Sequence, residues 1–112
     1  MNINYTKSYD NKVKKLKKYP NEKNNLDEIL DIIRNSKDFD ILLSNPLSKM
    51  YGMERLKYEL NKYYSLNPSK HGGVIRLIIK QCDNGVEVDL VYLSYDHYKD
   101  FNEKKVIYYE KE

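Results

Sequence analysis

The spacing of apolar residues changes along this chain, and that change limits the possible folds more than any other feature. Up to Ile33, apolar side chains recur every three or four positions, which is the spacing of one buried helix face. From Glu54 onward they fall into short runs and alternations, which are typical of β-strands. The sequence therefore predicts helices in the first half and a sheet built mainly from the second half.

A short strand and a helix are predicted at the start of the chain. Ile3 and Tyr5 alternate with polar residues, which indicates the strand. Thr6 or Ser8 can cap the helix that follows, and Pro20 ends it because proline has no backbone N–H to donate. The other sides of this helix carry five lysines, which face solvent, an acidic partner or RNA: Lys12, Lys14, Lys15, Lys17 and Lys18.

A second helix is predicted after Pro20. Asn25 and Glu28 have the spacing of a capping box at its start. Its apolar stripe, which we expect in the core, consists of Leu26, Ile29, Leu30 and Ile33. Because few residues separate the two helices, they should pack as an antiparallel hairpin. Residues 38–52 contain Pro46 and Gly52, so we expect an irregular connection there.

The second half predicts three or four strands. Apolar and charged residues alternate over residues 54–60, which indicates a strand with one buried face. Residues 74–79 form an apolar run typical of a central strand. Asn84-Gly85 then predicts a tight hairpin turn into a strand over residues 86–94. Residues 106–109 are expected to form a last strand or a packed tail.

One α+β domain over residues 1–112 is the economical packing of these elements. It would consist of a twisted antiparallel sheet with the N-terminal helix hairpin packed on one face. A chain of 112 residues is long enough for one such core and too short for two. The other face of the sheet would remain open, and the functional site is expected there.

Charge and composition limit the function classes. The formal net charge of +3 permits a polyanionic partner without requiring one. Cys82 is the single cysteine, and neither histidine has metal-ligand spacing, so no disulfide, metal or cofactor is expected. No apolar run approaches the ~20 residues of a membrane span. The first residues lack the apolar stretch of a signal peptide, so a cytoplasmic location is expected.

Arg76 interrupts the apolar central strand and is one of only three arginines. A buried arginine must pair with an acid or face an anion, because an unpaired buried charge costs too much free energy. Glu59 and Glu87 are candidate structural partners, and a phosphate group is the functional alternative.

His97 and Tyr98 follow the last long strand. Histidine can transfer a proton near neutral pH, and tyrosine can stack on a base or donate to a phosphate. RNA can be cut without a metal when a base activates the 2′-hydroxyl, a cation stabilises the phosphorane and an acid protonates the leaving oxygen. The polar side chains of three adjacent strands together supply one candidate for each of these tasks: Glu54, Arg55, Lys57, Arg76 and the His97-Tyr98 pair.

Three segments of the second half resemble the YoeB-like toxins of the RelE/ParE superfamily. Residues 54–65 resemble their E-x-L-K-x-x-L-x-x-aromatic-aromatic-S pattern. Arg76-Leu77-Ile78 resembles their R-L-V strand, and Asp96-His97-Tyr98 resembles their terminal H-Y. The resemblance covers residues 54–98, and the first half matches only in the order of its elements.

The resemblance implies a toxin of a type II toxin–antitoxin system, an endoribonuclease that cleaves messenger RNA in the ribosomal A site. Four residues take catalytic positions: Glu54 as general base, Arg76 at the phosphate, His97 as general acid and Tyr98 beside the nucleotide. Arg55 and Lys57 are expected to bind RNA. The implied partners are the ribosome, the messenger RNA and an antitoxin whose acidic side chains contact the lysines. Whether the chain also forms a homodimer is left open by the sequence.

Two other functions remain open at this point. The same fold could carry a non-enzymatic, ParE-like inhibitor of DNA gyrase, although the His97-Tyr98 pair counts against it. The chain could also be an inactive toxin-like binding module, such as a decoy for an antitoxin.

Overall fold

A computed structural model describes residues 1–110 and contains one five-stranded sheet. The strand order across the sheet is β1-β5-β4-β3-β2. The strands are β1 (Asn2–Tyr5), β2 (Glu54–Arg55), β3 (Tyr63–Leu66), β4 (Arg76–Gln81) and β5 (Glu87–Ser94). The strand over 2–5 and the hairpin turn at Asn84-Gly85 were predicted correctly. Gly85 has φ +72, and its N–H donates to the Cys82 carbonyl at 3.0 Å.

The sheet is mixed rather than antiparallel throughout. The pairs β2–β3, β3–β4 and β4–β5 are antiparallel. The pair β1–β5 is parallel. The α+β class is confirmed, and the prediction of an all-antiparallel sheet was wrong in this one pairing. Alternating side chains look the same in either direction, so a strand that pairs with a distant segment carries no sequence signal of its direction.

Within residues 1–110, the chain forms four α-helices. They are α1 (Lys7–Val13), α2 (Pro20–Asn35), α3 (Phe39–Ser44) and α4 (Pro46–Met50), and α1 continues into a 3-10 turn at Lys14–Lys18. The Thr6 hydroxyl caps α1 by accepting from the Tyr9 N–H at 3.1 Å. Among residues 1–110, no helix combines the length and apolar character needed to cross a membrane.

The start of α2 differs from the prediction. The helix begins at Pro20, so Asn25 lies inside it and does not form a capping box. Proline suits the first helical turn because its φ is already helical and its missing N–H is not needed there. Asn25 instead donates from its amide to the Pro68 carbonyl at 2.7 Å.

Residues 38–52 are helical rather than irregular. Asp38 caps α3 by accepting from the Ile41 N–H at 2.9 Å, and Asn45 caps α4 in the same way through Leu47. Phe39 is buried in the core. Short capped helices of this kind are stabilised by tertiary packing, which a local sequence pattern does not display.

The main core lies between the helices and one face of the sheet. The predicted stripe of α2 is buried there, as the periodicity indicated. It packs with apolar residues of the sheet, including Leu66, Leu77, Ile79, Leu90 and Leu93.

The opposite face of the sheet is partly covered, although it was expected to remain open. Phe101, which is 8% exposed, packs in a second apolar cluster with Leu56, Tyr63, Ile78 and Val91. Beyond it, residues 106–109 form a packed tail rather than a strand. The Ile107 carbonyl accepts from the Lys7 N–H at 2.9 Å, which joins the tail to the start of α1.

The segment 54–60 contains only the short strand β2 and then a 3-10 turn at Tyr58–Leu60. Leu56 is 5% exposed, whereas Tyr58 is 83% exposed, so the predicted alternation fails after Leu56. The Leu56 N–H donates to the Tyr63 carbonyl at 2.9 Å, because the chain already folds back toward β3. The alternation of apolar and charged residues over 54–60 fits a long strand as well as a short strand followed by a turn. The sequence pattern therefore does not distinguish the two structures.

Burial of Tyr51 predicts a loss of stability at high pH. Burial, together with the Glu28 carboxylate that accepts from its hydroxyl at 2.7 Å, raises the pKa of Tyr51 to about 12. An unfolded tyrosine ionises near pH ~10, so the free energy of unfolding should fall as pH rises from about 10 toward 12. Urea denaturation on both sides of this range measures the slope. Tyr51→Phe should give a shallower slope, and equal slopes would contradict the assignment.

Truncation of Phe101 should test the second apolar cluster. Phe101→Ala is expected to lower the free energy of unfolding by about 3 kcal/mol, because it removes a nearly buried ring. Ile107→Ala is the matched control, since that side chain is 53% exposed and only its backbone bonds to α1. Urea denaturation of both variants gives the comparison. An equally small effect in both would mean that Phe101 is not packed on the sheet.

Candidate active site

Arg76 and His97 are in contact at one end of the central strands. One guanidinium nitrogen of Arg76, Nη2, lies 3.1 Å from His97 Nε2. Nη1 donates to the carbonyls of Ile75 at 2.9 Å and Gly73 at 3.3 Å. Arginine has only donors, so the contact requires an unprotonated Nε2 on His97.

No carboxylate neutralises Arg76 within residues 1–110. The structural pairing with Glu59 or Glu87 that the sequence left open is therefore not found in this part of the chain. The guanidinium is half-buried at the start of β4 and keeps its charge available to an anion.

The loop after β5 holds its residues in an uncommon conformation. His97 and Tyr98 both have φ +57, in the left-handed region that costs a non-glycine residue about 1–2 kcal/mol. The fully buried hydroxyl of Ser94 accepts from the Tyr98 N–H at 2.8 Å and from the Asp96 N–H at 3.1 Å. It also donates to the Asp100 carboxylate. These bonds hold the strained turn and thereby position the imidazole.

Further contacts join this loop to the rest of the fold. The His97 N–H donates to the Val74 carbonyl at 2.8 Å, next to β4. The Tyr95 hydroxyl donates to the Lys12 carbonyl at 2.7 Å, at the end of α1. Ser94, Tyr95 and Asp100 were not predicted from the sequence to belong to the site. A serine that ends a strand, with an aspartate six residues later, is a weak signal of such a turn.

Glu54 lies on the same sheet face as Arg76 but does not contact it. Glu54 pairs with Ser65, which pairs with Ile78, two residues along β4 from Arg76. Standard strand spacing separates the Glu54 and Arg76 backbones by ~10 Å across the sheet and ~7 Å along it, about 12 Å in all. Glu54 is exposed, so its carboxylate is accessible to solvent.

Arg55 and Lys57 have different surroundings. Arg55 donates from Nε to the Asn61 carbonyl, and its guanidinium lies 5.9 Å from the centre of the Tyr64 ring. Tyr64 packs against the main core, so Arg55 is on the opposite side from Arg76. Its contacts close the turn over residues 57–61 and do not bring it to the Arg76–His97 pair.

A surface groove of about 250 Å³ is lined in part by Tyr98, the residue that follows His97. We call it the Tyr58 groove; its lining residues are Leu56, Lys57, Tyr58, Glu59, Leu60 and Tyr98. The Tyr98 ring meets the His97 ring edge-on, with 5.9 Å between centres. The structure thus brings Lys57 and Tyr98 to one groove, and Tyr98 in turn contacts His97.

Metal ligands are not clustered in the described part of the chain. Within residues 1–110, no group of three or more His, Cys, Asp and Glu side chains could hold a metal ion.

Comparisons with known proteins give a match only at the level of structure. No protein-family model matches the sequence, and no curated protein is significantly similar to it in sequence. Among solved structures, YafQ from E. coli strain BL21(DE3) is 18% identical, with a TM-score of 0.62 over 84% of this chain and 91% of that chain.

Two further solved structures agree with this result. The YoeB dimer from Staphylococcus aureus is 20% identical, with a TM-score of 0.57 over 85% of this chain and 95% of that one. The YoeB/ParE toxin from Agrobacterium tumefaciens is 17% identical, with a TM-score of 0.59 over 85% and 98%. The chain therefore has the RelE/ParE fold, as its motifs predicted.

Removal of the Ser94 hydroxyl should loosen the loop that positions His97. Ser94→Ala leaves two backbone N–H groups and Asp100 without their shared partner, which should cost about 1–3 kcal/mol. Amide hydrogen exchange at residues 96–98 should accelerate more than exchange in the other strands. Ser44→Ala is the control, because Ser44 is exposed and bonds only within α3. Unchanged exchange in Ser94→Ala would mean that other contacts hold the loop.

Proposed function

We propose that this chain is the toxin of a type II toxin–antitoxin pair and cleaves messenger RNA in the ribosomal A site. The observation that carries the proposal is the 3.1 Å contact between Arg76 and His97 in a chain with the RelE/ParE fold. Tyr98, the residue after His97, lines an open groove. A cation without a carboxylate partner and a proton-transferring imidazole are the two groups that phosphoryl chemistry needs most.

Arg76 would bind the scissile phosphate with its two terminal nitrogens. A phosphate oxygen carries more negative charge than the carbonyls of Gly73 and Ile75 that now accept from Nη1, so it should displace them. The guanidinium would then stabilise the phosphorane as its charge develops.

His97 would protonate the leaving 5′-oxygen. Its Nε2 accepts from Arg76 in the free protein. When the phosphate takes the guanidinium, Nε2 would take up a proton from solvent and donate that proton to the leaving oxygen. The left-handed turn held by Ser94 keeps the ring at the strand end, so little reorganisation is required.

Glu54 would accept the proton of the 2′-hydroxyl. The 2′-oxygen then bonds to phosphorus while the bond to the 5′-oxygen breaks, leaving a 2′,3′-cyclic phosphate and a 5′-hydroxyl. Since the Glu54 backbone is about 12 Å from that of Arg76, the RNA backbone would lie between the two side chains.

An antitoxin is the proposed protein partner. Lys14, Lys15, Lys17 and Lys18 are exposed along the 3-10 turn after α1 and form no ion pairs within residues 1–110. An acidic segment of an antitoxin would complement this surface. Such a pair would act in the cytoplasm, where messenger RNA is translated.

Arg76→Ala and His97→Ala should each reduce cleavage by roughly 10²–10⁴-fold, because each removes one acid–base or charge-stabilising group. Primer extension in a ribosome-containing translation reaction measures the cuts within A-site codons. His71→Ala is the matched control, since His71 is exposed in the loop before β4 and makes no contact with Arg76.

Full cleavage by both variants would show that these residues are not the active site. Intact messenger RNA with the wild-type protein would contradict the ribonuclease function altogether. A gyrase supercoiling assay with the same protein would then test the ParE-like alternative.

A further inference from the structure

Tyr58 is presented to solvent in a conformation that tyrosine normally avoids. Its φ is +59 and its side chain is 83% exposed. Burial of the ring therefore does not explain why the residue occupies this position. Strained backbone conformations of non-glycine residues concentrate at functional sites, where the surrounding structure maintains them.

Backbone contacts, rather than the ring, build the turn that carries Tyr58. The Tyr58 carbonyl accepts from the Asn61 N–H at 3.1 Å, and the Lys57 carbonyl accepts from the Leu60 N–H at 3.2 Å. Arg55 donates to the Asn61 carbonyl and closes the same turn. A residue that tolerates positive φ, such as glycine, could occupy position 58 with less strain. The aromatic ring is thus an addition to the turn and not a requirement of it.

The Tyr58 groove has the properties of a site for a planar ring. Leu56, Leu60 and the half-buried Tyr98 supply apolar walls, and Tyr58 supplies an exposed aromatic face. Aromatic side chains that stack on bases are the common means by which proteins hold single-stranded nucleic acid.

The groove is lined by one cationic and one anionic side chain, Lys57 and Glu59. Lys57 lines the groove and forms no ion pair within residues 1–110. Tyr98 lies between the groove and His97, which contacts Arg76. A nucleotide whose phosphate binds Arg76 would therefore place its base, or that of the adjacent nucleotide, at the groove.

We propose that the Tyr58 groove binds a nucleobase of the RNA and that Tyr58 stacks on that base. The inference rests on the proposed function for the identity of the ligand, and it adds Tyr58 as a positioning residue. Lys57 contacts the phosphate that joins this base to its neighbour. Stacking of one base commonly contributes about 10–100-fold in affinity, so loss of the ring should weaken RNA binding by that factor.

A tryptophan at position 58 would report base stacking directly. The chain contains no tryptophan, so Tyr58→Trp introduces a single tryptophan that can be excited without the tyrosines. His97→Ala in the same protein prevents cleavage. Titration with a short single-stranded RNA should quench the fluorescence in a saturable manner. An abasic oligonucleotide of the same length and charge should not. Tyr109→Trp in the same background is the control, because Tyr109 is exposed on the tail and does not line the groove.

Equal quenching at both positions, or quenching by the abasic oligonucleotide, would overturn the proposal. The first result would indicate non-specific binding along the surface, and the second would indicate contact with phosphate only. Since this measurement needs neither the ribosome nor cleavage, it remains informative if the wild-type protein proves inactive.

Three substitutions at Tyr58 separate a stacking role from a structural one. Tyr58→Gly should maintain or raise the melting temperature, because glycine accepts positive φ, yet it should reduce cleavage on ribosomes by about 10–100-fold. Tyr58→Phe and Tyr58→Trp should retain cleavage, because each keeps an aromatic ring. A structural role also predicts lost activity for Tyr58→Gly, but together with a lower melting temperature.

The same reaction distinguishes failure of this inference from failure of the proposed function. If Arg76→Ala abolishes cleavage while Tyr58→Gly cleaves at the wild-type rate, the base-binding role is wrong and the ribonuclease stands. If the wild-type protein leaves the messenger RNA intact, the ribonuclease is wrong, and the fluorescence titration alone decides the groove.

Discussion

Burial of both faces of the two central strands is the constraint on which the rest of the structure depends. Three consecutive residues of β4, Leu77, Ile78 and Ile79, are fully buried, so apolar side chains point to both sides of the sheet. Helices α1, α2 and α3 cover one side, and Phe101 with the tail covers part of the other. An uncovered face would leave Ile78 and Val91 in water, which the hydrophobic effect disfavours.

The candidate site lies where this coverage ends. Arg76 begins β4 and Ser94 ends β5, so the two strands deliver a cation and a turn to the same end of the sheet. Ser94 links the buried strand to the candidate site. Its buried hydroxyl accepts from the Tyr98 N–H and so supports the left-handed conformation of His97 and Tyr98. Strain of this kind is tolerated only where a rigid element supports it, and the paired central strands provide that support.

Local patterns predicted the elements that depend on local physics. The stripe of α2, the Thr6 cap and the Asn84-Gly85 turn were all predicted, because periodicity, capping and positive φ each act over a few residues. Prediction failed over residues 38–52, where tertiary packing stabilises α3 and α4. It also failed over residues 54–60, where a hairpin replaces the long strand, because both arrangements begin with the same alternation.

The sequence by itself determined the class of the fold and the residue types available at the site. Apolar spacing predicted the α+β architecture, and the motifs containing Arg76 and His97 indicated which strand ends to examine. Only the tertiary structure decided that these two residues touch, that Arg55 faces away and that Tyr58 stands exposed beside a groove. These outcomes depend on register, on the direction of strand pairing and on backbone strain. Each is set by contacts between segments far apart in the chain, which no local pattern records.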